Sequence, residues 1–169
     1  AGPLSARIGD VNPRFNPLLI WGRRVRGMEL DLQTRPFQAQ LVYGTTARAV
    51  EGAGHDSLDV TAPDSIRTVV DRNGTYRRDL MGLRMGFGSG SVMGLGLELL
   101  KIKDRVDSID YGQRPKDNVV LGSDLKIRLL DRRLRLDSAV ALSILSDDIS
   151  GGPLTKAAAD STFGIDLPF

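Results

Sequence analysis

Along at least five segments, apolar side chains fall on every second position, with charge or glycine between them. In residues 119–129 the odd positions are Val119, Leu121, Ser123, Leu125, Ile127 and Leu129, and the even ones are Val120, Gly122, Asp124, Lys126 and Arg128. Side chains of a β-strand alternate between its faces, so such a segment has one greasy face and one polar face. The same rhythm sets Met28, Leu30 and Leu32 against Glu29, Asp31 and Gln33. Phe37, Ala39, Leu41 and Tyr43 stand against Gln38, Gln40, Val42 and Gly44. Met81, Leu83, Met85 and Phe87 alternate with Gly82, Arg84, Gly86 and Gly88, and Met93, Leu95, Leu97 and Leu99 with Gly94, Gly96, Glu98 and Leu100. The last clear repeat places Leu134, Leu136, Ser138, Val140, Leu142 and Ile144 opposite Arg135, Asp137, Ala139, Ala141 and Ser143. A period of two fits each of these better than the 3.6 of a helix.

The connections alternate as well. Thr34-Arg35-Pro36, Ser89-Gly90-Ser91 and Leu130-Asp131-Arg132-Arg133 read as tight turns, whereas residues 48–75, 104–118 and 146–161 read as long polar links. A chain that connects short, long, short, long gathers its tight turns on one edge of a sheet. The expected fold is therefore all-β: an antiparallel up-and-down meander of about six or seven strands with two unlike ends. Residues 1–169 read as one segment without an internal boundary. Leu4 to Ile8 reads as the end of an element, which points to a longer parent chain.

Two solvents fit the greasy face. It packs on a second sheet, as in a soluble extracellular β-sandwich, or it faces lipid while the polar stripe lines a closed transmembrane β-barrel. Strands of about 9–11 alternating residues have the length a tilted strand needs to cross hydrocarbon. Phe37 and Phe87 beside tight turns, with Tyr43 farther along the same stripe as Phe37, suit a membrane–water interface. The polar stripe mixes glycines with Glu29, Asp31, Arg84, Glu98, Asp124, Lys126 and Arg128. Glycine weakens an exposed strand but leaves room for long charged side chains to meet across a lumen. Those seven charged residues are the expected lumen lining.

The chain resembles bacterial outer-membrane β-barrel proteins through Gly9-Asp10-Val11-Asn12-Pro13-Arg14-Phe15 running into Trp21-Gly22-Arg23-Arg24-Val25-Arg26-Gly27, and through residues 75–103 and 117–148. The resemblance implies short periplasmic turns, long external loops, a place in the outer membrane with its lipid as partner, and membership of a larger barrel. Other envelope proteins are a second expected class of partner, through the long loops. Phe163, Ile165, Leu167 and Phe169 alternate like the terminal strand of such barrels, although Pro168 cannot donate to a ladder. Arg24 and Arg26 share parity with Met28, so a continuous strand aims them at lipid. A bulge at Gly27 or a segment folded into the lumen would relieve this.

Composition narrows the chemistry. The chain has 169 residues, a net charge of +2 and no cysteine, which excludes disulfides and thiolate metal sites. Eighteen arginines against five lysines are interleaved with acids and lack an aromatic platform, so no nucleic-acid partner is expected. His55, beside Asp56 and Ser57 in a glycine loop, does not preorganise a triad. Asp104, Asp107 and Asp110 lack the EF-hand spacing. Gly86-Phe87-Gly88-Ser89-Gly90 lacks the Lys-Ser/Thr of a phosphate loop. Neither an enzyme nor a cofactor is expected. Two function classes remain: transport through a porin-like channel, and a barrel that scaffolds an envelope assembly.

Overall fold

A computed structural model describes residues 3–20, 22–59, 62–88, 92–129 and 133–150. Among the described residues nine strands follow in order: β1 (Leu4–Val11), β2 (Val25–Gln33), β3 (Phe37–Ala47), β4 (Ala53–Asp59), β5 (Ala62–Arg72), β6 (Arg77–Gly88), β7 (Met93–Arg105), β8 (Asp117–Leu129) and β9 (Leu134–Ser146). Seven of them form one antiparallel up-and-down sheet in the order β1-β2-β3-β6-β7-β8-β9. The sheet does not close among the described residues, and β1 and β9 are its two edges. β4 and β5 pair with each other as a separate antiparallel hairpin. They occupy the stretch the sequence pattern reads as a long polar link. Their alternation is masked by polar residues on both faces, as in Gly54-His55-Asp56-Ser57.

Leu4 to Ile8 lies in the edge strand β1, which pairs with β2 from Leu4↔Leu32 to Val11↔Val25. The β2–β3 hairpin turns at Thr34–Phe37 as expected, with a cis Arg35–Pro36 bond and the Thr34 amide donating to the Phe37 carbonyl at 2.8 Å. The other two tight turns lie outside the described residues except Arg133, and so does the alternating stretch 163–169. At the far end of this hairpin Gly27 pairs with Gly9 on one side and Gly44 on the other, a row of three glycines across β1, β2 and β3. Gly9 has a φ of 115°, and a Cβ on Gly27 would fall 2.0 Å from the Tyr43 carbonyl oxygen. Three residues without side chains let the backbones crowd at one level, a device that bends a sheet.

Contacts group the described residues into two compact units, those within 1–46, 78–103 and 118–144 and those within 47–77, 104–117 and 145–169. The core of the first unit is Val11, Phe15, Ile20, Val25, Val42, Leu80, Leu100 and Val120, with Leu19 and Ile102 against it. These strand residues share parity with the charged stripe, not with the long apolar one. Positions of that parity are thus mostly apolar toward one end of the strands, Arg78 and Asp104 excepted, and mostly charged or glycine toward the other. In the second unit the Glu51 carboxylate accepts the amides of Gly52, Asp110 and Tyr111 at 3.0–3.2 Å. Those amide dipoles, Tyr111 first, hold its carboxyl below the usual value. Asp104 Oδ2 accepts the Lys116 amide at 3.0 Å.

Candidate functional site

Residues 12–20 fold onto the inward face of the first unit as a plug, seated by glycines. Phe15 and Asn16 are buried. The Asn16 side-chain oxygen accepts the Leu18 amide at 3.0 Å, and its main-chain carbonyl accepts the Leu19 amide at 2.9 Å, a compact Asx-type turn. A Cβ on Gly82 would come within 2.7 Å of the Phe15 ring, and one on Gly122 within 2.6 Å of Leu19 Cδ1. Both glycines are therefore sockets for plug side chains. One buried hydrogen bond clasps the plug to the wall: the Asn16 amide donates to Glu98 Oε1 at 2.9 Å.

Next to the clasp, β6, β7 and β8 place Arg84, Glu98 and Asp124 in one ion network. Arg84 reaches Glu98 Oε1 through Nε at 3.0 Å and Asp124 Oδ2 through Nη2 at 3.1 Å. Lys126 Nζ lies 3.3 Å from Asp124 Oδ1. Gly96 makes the room: its Cβ would fall 1.7 Å from Asp124 Oδ2. Glycine among inward charges has the spatial purpose its pattern suggests at Gly96, whereas a Cβ on Gly94 would meet nothing within 4 Å.

Of the seven expected lining residues, Arg84, Glu98, Asp124 and Lys126 meet in this network. Glu29 forms a second cluster, its Oε1 accepting Arg7 Nη2 at 2.7 Å and Gln40 Nε2 at 2.6 Å. Asp31 accepts Gln33 Nε2 at 3.1 Å. Arg128 shares the inward parity and is half-buried. A cleft of about 830 Å³ opens beside the plug, lined among others by Arg7, Arg14, Glu29, Asp31, Gln38, Gln40 and Arg84. Its lining mixes arginines with the carboxylates of Glu29 and Asp31, which suits water and polar solutes. Arg7, Gln40 and Asn16 are the contributors sequence reasoning missed. Arg7 and Gln40 alternate with apolar neighbours, so parity alone could have found them; nothing local marks Asn16.

Arg24 and Arg26 are accommodated differently from either expected route. The β1–β2 and β2–β3 registers run unbroken through Gly27, so there is no bulge, and Arg26 keeps its outward parity. Both guanidiniums instead pair with Asp10, the cross-strand neighbour of Arg26. On the β4–β5 hairpin the exposed His55 Nδ1 lies 2.9 Å from the exposed Asp71 Oδ2, a paired surface histidine. Among the described residues no group of three or more His, Cys, Asp or Glu side chains could hold a metal ion.

No family model, no curated protein and no solved structure matches this chain.

Proposed function

We propose that this chain is a wall segment of a bacterial outer-membrane β-barrel, with a filled interior that favours an envelope-scaffold role over an open pore. The observation that carries the reading is an inversion of burial between adjacent residues. Glu29 is 1% exposed and Leu30 beside it 38%; Glu98 is 5% exposed and Leu97 beside it 40%. A β-domain in water buries the leucine and solvates the glutamate. Leu41, Tyr43, Met81, Met93, Leu121, Leu136 and Val140 extend the same exposed face across the sheet.

Seven strands about 4.8 Å apart, each with a stripe on the order of 20 Å tall, make an apolar surface of roughly 600 Å². That is the upper limit of what monomers show to water. Strands β3, β8 and β9 have 11, 13 and 13 residues, enough to cross hydrocarbon at the usual tilt. The Phe37 and Phe87 rings meet at 5.3 Å near the tight-turn end, where an interfacial aromatic belt belongs. In a soluble sandwich the apolar face would need a second sheet on it, whereas within the first unit residues 12–20 pack on the charged face.

The plug and the ion network oppose free passage, because fixed opposite charges and packed side chains leave little continuous water. The cleft favours a second reading, a polar vestibule of a gated channel. Fractionation of cells making the full-length parent tests the class. Detergent-dependent extraction with a band that shifts on boiling supports the barrel, and a freely soluble protein with one unshifted band overturns it. Bilayer recording separates the two roles: steady conductance would refute the filled interior.

A further inference from the structure

The cleft beside the plug has the size of a small-molecule site and an unusual lining. Its volume, about 830 Å³, falls inside the roughly 300–1,000 Å³ of ligand pockets. Such pockets are mostly apolar with a few polar groups, and here the proportion is reversed. Asn12, Gln33, Gln38 and Gln40 bring carboxamides to it. Most of its charge is already spent on ion pairs. Arg7 holds Glu29, Asp10 holds Arg24 and Arg26, and Arg84 holds Glu98 and Asp124. The charged groups of the lining that make no ion pair among the described residues are Arg14 and Asp31, one of each sign. A simple ion therefore meets no excess of opposite charge, and an apolar ligand would strand the carboxamides without partners.

We propose that this cleft binds a short neutral oligosaccharide. A hydroxyl both donates and accepts, so it serves a carboxylate and a guanidinium alike, and a carboxamide offers the two complementary functions side by side. Gln38 is exposed, and Gln33 spends one donor on Asp31, which leaves donors and acceptors for neighbouring hydroxyls of a sugar. Glu29 is 1% exposed; its Oε1 takes both Arg7 and Gln40, while its Oε2 accepts no hydrogen bond among the described residues. A buried acceptor without a donor is costly. Its partner Arg7 is 62% exposed, a long side chain that can yield to a sugar hydroxyl donating to that carboxylate. Ile8 and Ala39 border the same cleft and supply apolar surface for the C–H faces of sugar rings. A zwitterion would use Arg14 and Asp31 and leave the carboxamides idle. The cleft lies wholly within the first unit, so the inference holds whichever solvent meets the outward face.

The test is saturation-transfer NMR on the full chain in a polyoxyethylene detergent, which carries no sugar headgroup. Maltotriose, cellotriose and raffinose are the ligands, with glycine betaine and inorganic phosphate as comparators. The expected result is saturable binding of a trisaccharide and none of either comparator. A Cβ on Gly86 would sit 3.6 Å from Gln38 Cβ, an ordinary contact. Gly86→Leu should therefore fill part of the cleft without a backbone clash and abolish binding, with the far-UV circular dichroism unchanged. Gln38→Ala removes only an exposed side chain and should weaken binding about three- to tenfold; it decides the matter should the leucine variant fail to fold. A folded chain that binds none of the trisaccharides overturns the inference and leaves the membrane reading standing. Binding at full strength by both variants overturns the cleft as the site. Tighter binding of glycine betaine or phosphate overturns the sugar in favour of a charged solute.

Discussion

Replacing Gly96 by alanine should disrupt the inward ion network through a single methyl group. The new Cβ would stand 1.7 Å from Asp124 Oδ2, 2.8 Å from its Cγ and 3.3 Å from Arg84 Nη2. An aspartate side chain is too short to bend away locally, so the carboxylate must rotate out of the network. It then loses Arg84 at 3.1 Å and Lys126 at 3.3 Å. Overpacking by one methyl costs about 1–3 kcal/mol. Stripping one partner from a fully buried pair costs about 3–5 kcal/mol, but the Arg84 side chain is 28% exposed and keeps Glu98, so the lower part of that range is discounted further. The sum is about 2–4 kcal/mol. With a urea slope of about 2 kcal/mol/M, the unfolding midpoint followed by far-UV circular dichroism should fall by about 1–2 M. Gly94→Ala supplies the control, since nothing lies within 4 Å of its Cβ position, and it should change stability by no more than about 0.5 kcal/mol. In an Asp124→Ala background the Gly96→Ala penalty should shrink below about 1 kcal/mol. Equal midpoints for the two glycine variants, or a penalty that survives removal of Asp124, would refute the reasoning.

Phe15→Ala empties the Gly82 socket and should cost about 3–5 kcal/mol; a proteolysis rate of residues 12–20 equal to wild type would contradict the plug. Gly27→Ala places a methyl 2.0 Å from the Tyr43 carbonyl oxygen, a backbone atom that cannot step aside. It should abolish β2–β3 pairing, read as lost amide-exchange protection across that hairpin. Glu51 has a carboxyl held below its ordinary value of 4.5 by the Tyr111 amide first. A depressed folded pKa contributes stability above the ordinary value and loses it as pH falls through the folded one. Protection of the Tyr111 amide should therefore hold above the ordinary value and decline only at pH well below it, and Glu51→Gln should flatten the profile; a wild-type profile that is already flat would exclude the carboxylate as the cause. Burial pushes the Tyr76 hydroxyl up first, so its contribution is complete below its ordinary pKa of 10.0 and is lost at more alkaline pH; spectrophotometric titration of Tyr76→Phe against wild type should remove the highest-pH tyrosine transition.

Parity along the chain carried most of the seven-stranded sheet, because a side chain's face follows from its position whatever the strand packs against. It carried Arg84, Glu98, Asp124 and Lys126 to one face for the same reason. The β4–β5 hairpin escaped it, since polar residues fall on both faces there and leave no alternation to see. The plug escaped it as well. Asn12 to Ile20 lacks the two-residue alternation, and only its fold onto Gly82, Gly122 and Glu98 reveals that Phe15 and Leu19 fill sockets on the charged face.

By itself, then, the order of residues determined which side chains share a face, where the β2–β3 chain reverses, and that cysteine chemistry is absent. Which face is buried was decided only by tertiary structure. A strand with Glu29 beside Leu30 is equally well formed with either side covered, because the ladder hydrogen bonds do not depend on it. The choice was made by contacts between residues far apart in sequence: Asn16 on Glu98, Phe15 on Gly82, and Arg84 between Glu98 and Asp124. Those contacts cover the carboxylates and leave the leucines outside, an outcome no local pattern encodes.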